Sequence, residues 1–164
     1  MNTVNVEPLI KTMAQDLVRL MATRSIERPL LIGIHTGGVW VAQQLHALLH
    51  LTEELGTLDI SFYRDDFTQL GINPQVKPSK LPQSIDDRNL ILVDDVLYTG
   101  RTVRAALNEL FDYGRPAHVL LAVLIDRGGR ELPLAANVVG QVLSLQAHQH
   151  IKLLGPSPLR YETL

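Results

Sequence analysis

The chain contains no cysteine, which excludes disulfides and thiolate metal sites and allows a reducing compartment. It has no apolar run as long as the roughly 20 residues of a membrane-spanning helix. Its first residues, Met1-Asn2-Thr3-Val4-Asn5, carry neither the charged region nor the apolar stretch of a signal peptide. A cytoplasmic protein is therefore expected. An excess of positive charge is also lacking. Lys and Arg number 15 against 17 Asp and Glu, for a formal net charge of −2, so the chain as a whole does not advertise nucleic-acid binding. Internal repeats and low-complexity tracts are absent. What is present is 164 residues, 46% of them hydrophobic. That is enough apolar surface to build one domain with a real core and hardly enough for two, so residues 1–164 are expected to form a single domain.

The apolar pattern changes period along the chain. Leu9, Ile10, Met13, Leu17, Leu20 and Met21 recur at helical spacing, and Pro8 suits a first turn, where its missing N–H costs nothing. This predicts a helix from about Val6 to Thr23. Leu30 to Ile34 reads as a buried strand, Thr36-Gly37-Gly38 as a turn, and Val41, Ala42, Leu45, Leu48 and Leu49 as a second helix. Leu58 to Tyr63 alternates as a half-buried strand. From Arg64 to about Arg88 the sequence is polar and interrupted by Gly71, Pro74, Pro78 and Pro82. Loops this long are uncommon unless functional. It is either a lid or a solvated loop with two lysines, Lys77 and Lys80.

Asn89 to Val93 is the clearest buried strand and ends in Asp94-Asp95. Val103, Ala106, Leu107, Leu110 and Phe111 mark a helix, with Gly114 as its C-terminal cap. Val119 to Ile125 is another apolar strand, followed by Asp126-Arg127-Gly128-Gly129. Val138-Val139 and Ile151 to Leu154 are candidate short strands, and Pro156-Ser157-Pro158 reads as irregular. Strands alternating with helices predict an α/β fold with a doubly wound, mainly parallel sheet flanked by helices. In such sheets ligands gather beyond the carboxyl ends of the strands, where Thr36-Gly37-Gly38, Asp94 to Thr102 and Asp126 to Gly129 all fall.

The second of these loops carries the chemistry. Two acids at the end of an apolar strand are costly to bury unless used. Carboxylates there can accept bonds from sugar hydroxyls or hold Mg²⁺ through its water shell. Then Thr99-Gly100-Arg101-Thr102 opens a helix, whose N–H groups and dipole favour an anion. Gly100 permits close approach, and the Thr99 and Thr102 hydroxyls add donors. An acid pair alone is as readily a solvated turn, and Thr99 a simple cap. Together the two halves match a diol at one end and a phosphate at the other, as in ribose 5-phosphate.

Leu90-Ile91-Leu92-Val93-Asp94-Asp95-Val96-Leu97-Tyr98-Thr99-Gly100-Arg101-Thr102 resembles the signature of type I phosphoribosyltransferases. More narrowly it is similar to the pyrimidine operon regulatory family, whose members also act as uracil phosphoribosyltransferases. That likeness continues through Val103-Arg104-Ala105, Gly114-Arg115-Pro116, Leu121 to Gly128, Asp59-Ile60 and Tyr63-Arg64-Asp65-Asp66. The resemblance implies a type I fold with a small hood. It implies that Asp94 and Asp95 hold the ribose hydroxyls, with Mg²⁺ brought by the substrate and no direct protein metal ligand. Val96, Leu97, Tyr98, Thr99, Gly100, Arg101 and Thr102 would wrap the 5-phosphate, and Thr36, Gly37 and Gly38 would meet pyrophosphate. Tyr63, Arg64, Asp65 and Asp66 would begin a lid, and Ile125 would lie near the base. The implied substrates are phosphoribosyl pyrophosphate and uracil and the implied product is UMP, in a dimer or larger homo-oligomer.

Two departures matter. The pyrophosphate loop of the family carries Thr-Arg-Gly, and Gly37 here removes a permanent cation from the leaving-group site. Members that bind messenger RNA have a histidine, an arginine and a lysine where this chain has Gly129, Ala135 and Gln141, although Arg130 is kept. Losing cations weakens RNA binding. Lys11, Arg19, Arg24 and Arg28 near the first helix read most simply as a solvated face. His35 beside the first loop is a candidate substrate contact. His46 and His50 have a zinc-compatible spacing but no evident third ligand, and Trp40 reads as a packing residue. The alternatives are a nucleotide-sensing regulator with vestigial catalysis, and a phosphoribosyltransferase for a purine such as hypoxanthine.

Overall fold

Each long apolar strand of this chain faces two ways. In a computed structural model, which describes residues 2–60 and 79–164, Leu31, Ile91, Val93, Leu120, Ala122 and Leu124 pack into one buried cluster. Their neighbours Leu30, Ile32, Leu90, Leu92, Leu121 and Val123 pack into another. That is the period-two geometry of a strand covered on both faces. The elements are β1 (Thr3–Asn5), α1 (Glu7–Thr23), β2 (Leu30–Ile34), α2 (Gly37–Leu48), β3 (Gly56–Leu58), β4 (Asn89–Leu97), α3 (Arg101–Tyr113), β5 (His118–Asp126), β6 (Val138–Val142), β7 (Ile151–Leu154) and β8 (Arg160–Thr163). The main sheet has the order β3-β2-β4-β5-β6, parallel throughout. Helices α1 and α2 cover the first cluster, through Ile10, Met13, Leu17, Val41 and Leu45. Helix α3 covers the second, through Val103, Ala106 and Leu110. Leu90 to Val93 are fully buried, and each such side chain is worth about 1.5–3 kcal/mol of hydrophobic burial.

The expected doubly wound α/β architecture is therefore present. A smaller sheet, β1-β8-β7, antiparallel throughout, joins the two ends of the chain. Tyr161 of β8 is buried and its hydroxyl donates to Gln141 Oε1 of β6 at 3.0 Å, tying this sheet to the larger one. Neither β1 nor β8 was expected from the sequence.

Several expectations need correction. Val6 is the N-cap of α1 rather than its first residue. Thr36-Gly37-Gly38 is no free turn: Thr36 is the N-cap of α2, and the glycines form its first turn. The strand expected at Leu58 to Tyr63 starts earlier and is short, spanning Gly56–Leu58; its second half, with Tyr63, Arg64, Asp65, Asp66 and Lys77, lies outside the described residues. Gly114 ends α3 as expected, but with φ 163, an extended conformation open to any residue. Its lack of a side chain serves packing, since a Cβ there would meet Asp86 Oδ1 at 2.6 Å.

Candidate active site

Strand β4 does not stop at the acid pair. It pairs with β5 as far as Leu97↔Asp126, whereas its pairing with β2 ends at Gly33↔Val93. Asp94 and Asp95 thus stand beyond β2, on a strand still held by β5. Helix α2 begins in the space this leaves. A Cβ on Gly37 would lie 2.7 Å from Asp95 Cγ, and one on Gly38 2.6 Å from the Val93 carbonyl oxygen. The first turn of α2 therefore rests directly on the acid pair, and only glycine fits without displacing it. The peptide between His35 and Thr36, at the approach to this turn, is cis.

The acids are ordered by their own backbone. Asp94 Oδ1 accepts the Asp95 N–H at 2.9 Å, and Asp95 Oδ1 accepts the Val96 N–H at 2.8 Å. Asp94 is buried and Asp95 half-buried. Val96 and Leu97 remain in the strand, Leu97 fully buried. At Gly100, φ is +95, a left-handed conformation that favours glycine. The chain turns there into α3, with Arg104 N–H donating to the Gly100 carbonyl at 2.9 Å. The Thr99 hydroxyl accepts the Arg101 N–H at 3.2 Å. Neither α2 nor α3 carries an acidic residue in its first turn, in contrast to α1 with Glu7. The positive end of the α3 dipole thus meets no acidic side chain of its own first turn, while that of α2 lies against the Asp95 carboxylate. Tyr98 is exposed, and Arg101 Nε bonds to Glu131 Oε2 at 2.8 Å.

The fold brings Gly37 and Gly38 onto Asp94 and Asp95, with Thr36 as the N-cap of the same turn, and strings Val96 to Thr102 from the acids to the start of α3. Ile125 differs in its setting: it is fully buried within the cluster covered by α1 and α2, and it is held in the sheet between Val96 and Gln141, so the structure does not present it to a ligand as the resemblance implies. His35 is half-buried, with its N–H donating to the Leu58 carbonyl at 2.8 Å. Lys80 approaches Glu54 at 3.6 Å beside the start of β3, at the opposite end of that strand from the site. His46 Nε2 lies 2.7 Å from the Glu53 carbonyl oxygen. Trp40 packs against the core and against Gly155, as a packing residue should.

The segment after β5 begins with the third expected loop, Asp126 to Gly129, and the engagement of Arg130 with it was not expected from the sequence. Asp126 Oδ1 accepts the Gly128 N–H at 2.9 Å, and Asp126 Oδ2 accepts a bond from Arg130 at 2.6 Å. Burial works against the Asp126 charge, but the Arg130 and Gly128 bonds outweigh it and hold this carboxyl below the ordinary range. Arg130, which the family resemblance offered as an RNA contact, is thus engaged within the protein. Both glycines of the Asp126-Arg127-Gly128-Gly129-Arg130 stretch adopt positive φ, the left-handed conformation that favours glycine.

The phosphoribosyl transferase domain family model matches residues 2–152. A bifunctional protein PyrR of Pseudomonas aeruginosa is 59% identical over 162 residues, covering 99% of this chain and 95% of the relative. This chain belongs to the PyrR family of phosphoribosyltransferases. A PyrR of Nitrosococcus oceani is 55% identical over 161 residues, covering 97% of this chain and 91% of that one. Among solved structures, a Trypanosoma cruzi hypoxanthine phosphoribosyltransferase matches with a TM-score of 0.69 at 22% identity, over 91% of this chain and 80% of its own. A Staphylococcus aureus hypoxanthine phosphoribosyltransferase matches with a TM-score of 0.64 at 21% identity, over 84% and 74%. These structures share the type I fold with this chain, which accounts for the parallel sheet and its flanking helices.

Proposed function

We propose that this PyrR-family chain transfers the phosphoribosyl group of phosphoribosyl pyrophosphate to uracil, forming UMP and pyrophosphate, and serves the control of pyrimidine gene expression. The observation that carries this reading is the contact of the Gly37-Gly38 turn with Asp94 and Asp95. It sets the start of α2, the proposed pyrophosphate subsite, beside a pair of carboxylates suited to the ribose hydroxyls. The start of α3 lies at the other end of the same loop for the 5-phosphate. Val96 to Thr102 orient the sugar, and Asp94 and Asp95 steady its hydroxyls as positive charge develops at the anomeric carbon. The adjacent carboxylates are hard oxygen donors that fit Mg²⁺ through its water shell. Bound with the substrate, Mg²⁺ would neutralise charge on the departing pyrophosphate.

Incubating the pure protein with phosphoribosyl pyrophosphate, Mg²⁺ and each base in turn tests the reaction and its specificity. UMP formation with uracil supports it. Nucleotide formed from hypoxanthine but not uracil would replace it with the purine reading.

A second reading, a nucleotide-responsive regulator with slow catalysis, is favoured by Gly37, which stands where the family's pyrophosphate loop carries an arginine. For either reading, RNA affinity is expected to be weak. Lys11 pairs with Glu7 at 3.0 Å, Arg19 with Asp16 and Arg28 with Glu53 at 2.5 Å, so these cations are partly spent within the protein. Titrating a leader transcript across salt concentrations checks this. Tight binding that falls steeply with salt would restore RNA as a partner. Assembly into a dimer or larger homo-oligomer, proposed from the family resemblance, is checked by sedimentation.

A further inference from the structure

The loop proposed to hold the sugar phosphate does not stand alone. The segment after β5 folds over it, and the two touch along their length. Arg127 N–H donates to the Leu97 carbonyl at 3.0 Å, and the Glu131 and Leu132 N–H groups donate to the Thr99 carbonyl at 2.9 and 3.2 Å. The Arg127 guanidinium sits 4.0 Å from the Tyr98 ring centre, a cation–π contact. Gly129 lies so close to that ring that a Cβ would meet Tyr98 Cε2 at 2.5 Å.

One side chain joins these contacts. Arg130 Nη1 donates to the Tyr98 carbonyl at 2.9 Å, Nε to the Leu134 carbonyl at 2.9 Å, and Nη2 to Asp126 Oδ2 at 2.6 Å. The first bond grips the sugar-phosphate loop. The other two close the segment from Asp126 to Leu134 on itself. The Arg130 side chain is 23% exposed, so it is a fixed part of this packing and no solvated surface cation. A planar guanidinium with several donors is suited to bridging three acceptors in fixed directions, and an ammonium is not.

We propose that Arg130 is a positioning residue for the phosphoribosyl site. It fixes the Tyr98 carbonyl, and through it the backbone of Tyr98 to Thr102, in the geometry that receives the 5-phosphate. The proposal rests on the reading of the Asp94 to Thr102 loop given above. It predicts an effect confined to the sugar-phosphate substrate, because Arg130 acts on this loop.

The test compares the full-length protein with Arg130→Ala and Arg130→Lys. For each, KM for phosphoribosyl pyrophosphate, KM for uracil, kcat, Tm and the rise in Tm caused by ribose 5-phosphate are measured. Arg130→Ala is expected to raise KM for phosphoribosyl pyrophosphate about ten-fold, the scale of one binding hydrogen bond lost from the loop. KM for uracil and kcat should change little, and the protection by ribose 5-phosphate should shrink. Arg130→Lys should recover Tm but only part of the KM. Unchanged KM and protection in Arg130→Ala would overturn the proposal and leave the transferase reading standing. If all parameters fall together with Tm in Arg130→Ala and Arg130→Lys restores them together, the role is structural only and the proposal fails. A wild-type protein that neither transfers nor responds to ribose 5-phosphate would remove the reading itself, and the proposal with it.

Discussion

The two ends of the central sheet put their polar groups to different uses. At the end where the strands begin, charges are used up against each other. Glu53 is buried and takes Arg28 at 2.5 Å and Arg88 at 3.4 Å. These partners, the Arg28 bond first, hold its carboxyl below the ordinary range. Arg88 Nη2 also donates to the Arg28 carbonyl at 3.0 Å, Asp86 Oδ1 accepts the Arg115 N–H at 2.8 Å, and His118 Nδ1 lies 2.9 Å from Asn89 Oδ1. At the end where the strands finish, two helices start without acidic residues in their first turns, and a carboxylate rests on a glycine turn. The first end is built to hold the sheet together. The second carries the groups proposed above to receive the substrate, and they are held in place by the protein itself.

The contrast can be broken most sharply at the acids. Asp94→Asn with Asp95→Asn is expected to lower the transfer rate by about a hundred-fold or more, while the far-ultraviolet circular dichroism spectrum stays that of the folded chain. A double variant with full activity would sink the assignment. Next in size is Gly38→Ala. Its Cβ would lie 2.6 Å from the Val93 carbonyl oxygen, a backbone atom that cannot turn aside, so about 1–3 kcal/mol of stability and most of the activity should be lost together. Thermal denaturation and a transfer assay on the same sample check this. At the opposite end, Glu53→Ala should do the reverse. Tm falls because two arginines lose their shared acceptor, while kcat/KM stays as in the wild type. A drop in kcat/KM at unchanged Tm would erase the division between the two ends.

The smallest effect is one of pH. Glu53 and Asp126 both titrate lower in the folded chain than their ordinary values of 4.5 and 3.8. Each therefore contributes stability that is complete above its ordinary value and is lost as pH falls through the lower folded one. Tm should be flat on this account from neutral pH to about 5 and decline below about 4. Asp126→Asn should remove its share of that decline while lowering Tm at neutral pH. An equally steep acid decline in this variant would show that Arg130 draws nothing from the Asp126 charge.

The parts of the fold legible in the sequence were those that bury the most. Continuous apolar runs at Leu30 to Ile34, Asn89 to Val93 and Val119 to Ile125 mark β2, β4 and β5, because strands covered on both faces need an apolar residue at every position. β1 and β8 escaped notice. Thr3–Asn5 and Arg160–Thr163 are short and polar, and they become strands by pairing Val4 with Tyr161 across almost the whole chain. The extent of β4 was also misjudged: two acids look like a strand's end, yet pairing with β5 continues past them.

For the site, local order was written in consecutive residues. The acid pair, the left-handed glycine and the helix start lie within one stretch from Asp94 to Thr102, where backbone stiffness alone limits their arrangement. Tertiary structure decided which distant groups join that stretch: Gly37 against Asp95, Gly129 against the Tyr98 ring, and Arg130 on the Tyr98 carbonyl. Those contacts arise from the order of strands in the sheet, which sets β2 on one side of β4 and β5 on the other. Strand order reflects the packing of the entire chain, and no local pattern of residues encodes it.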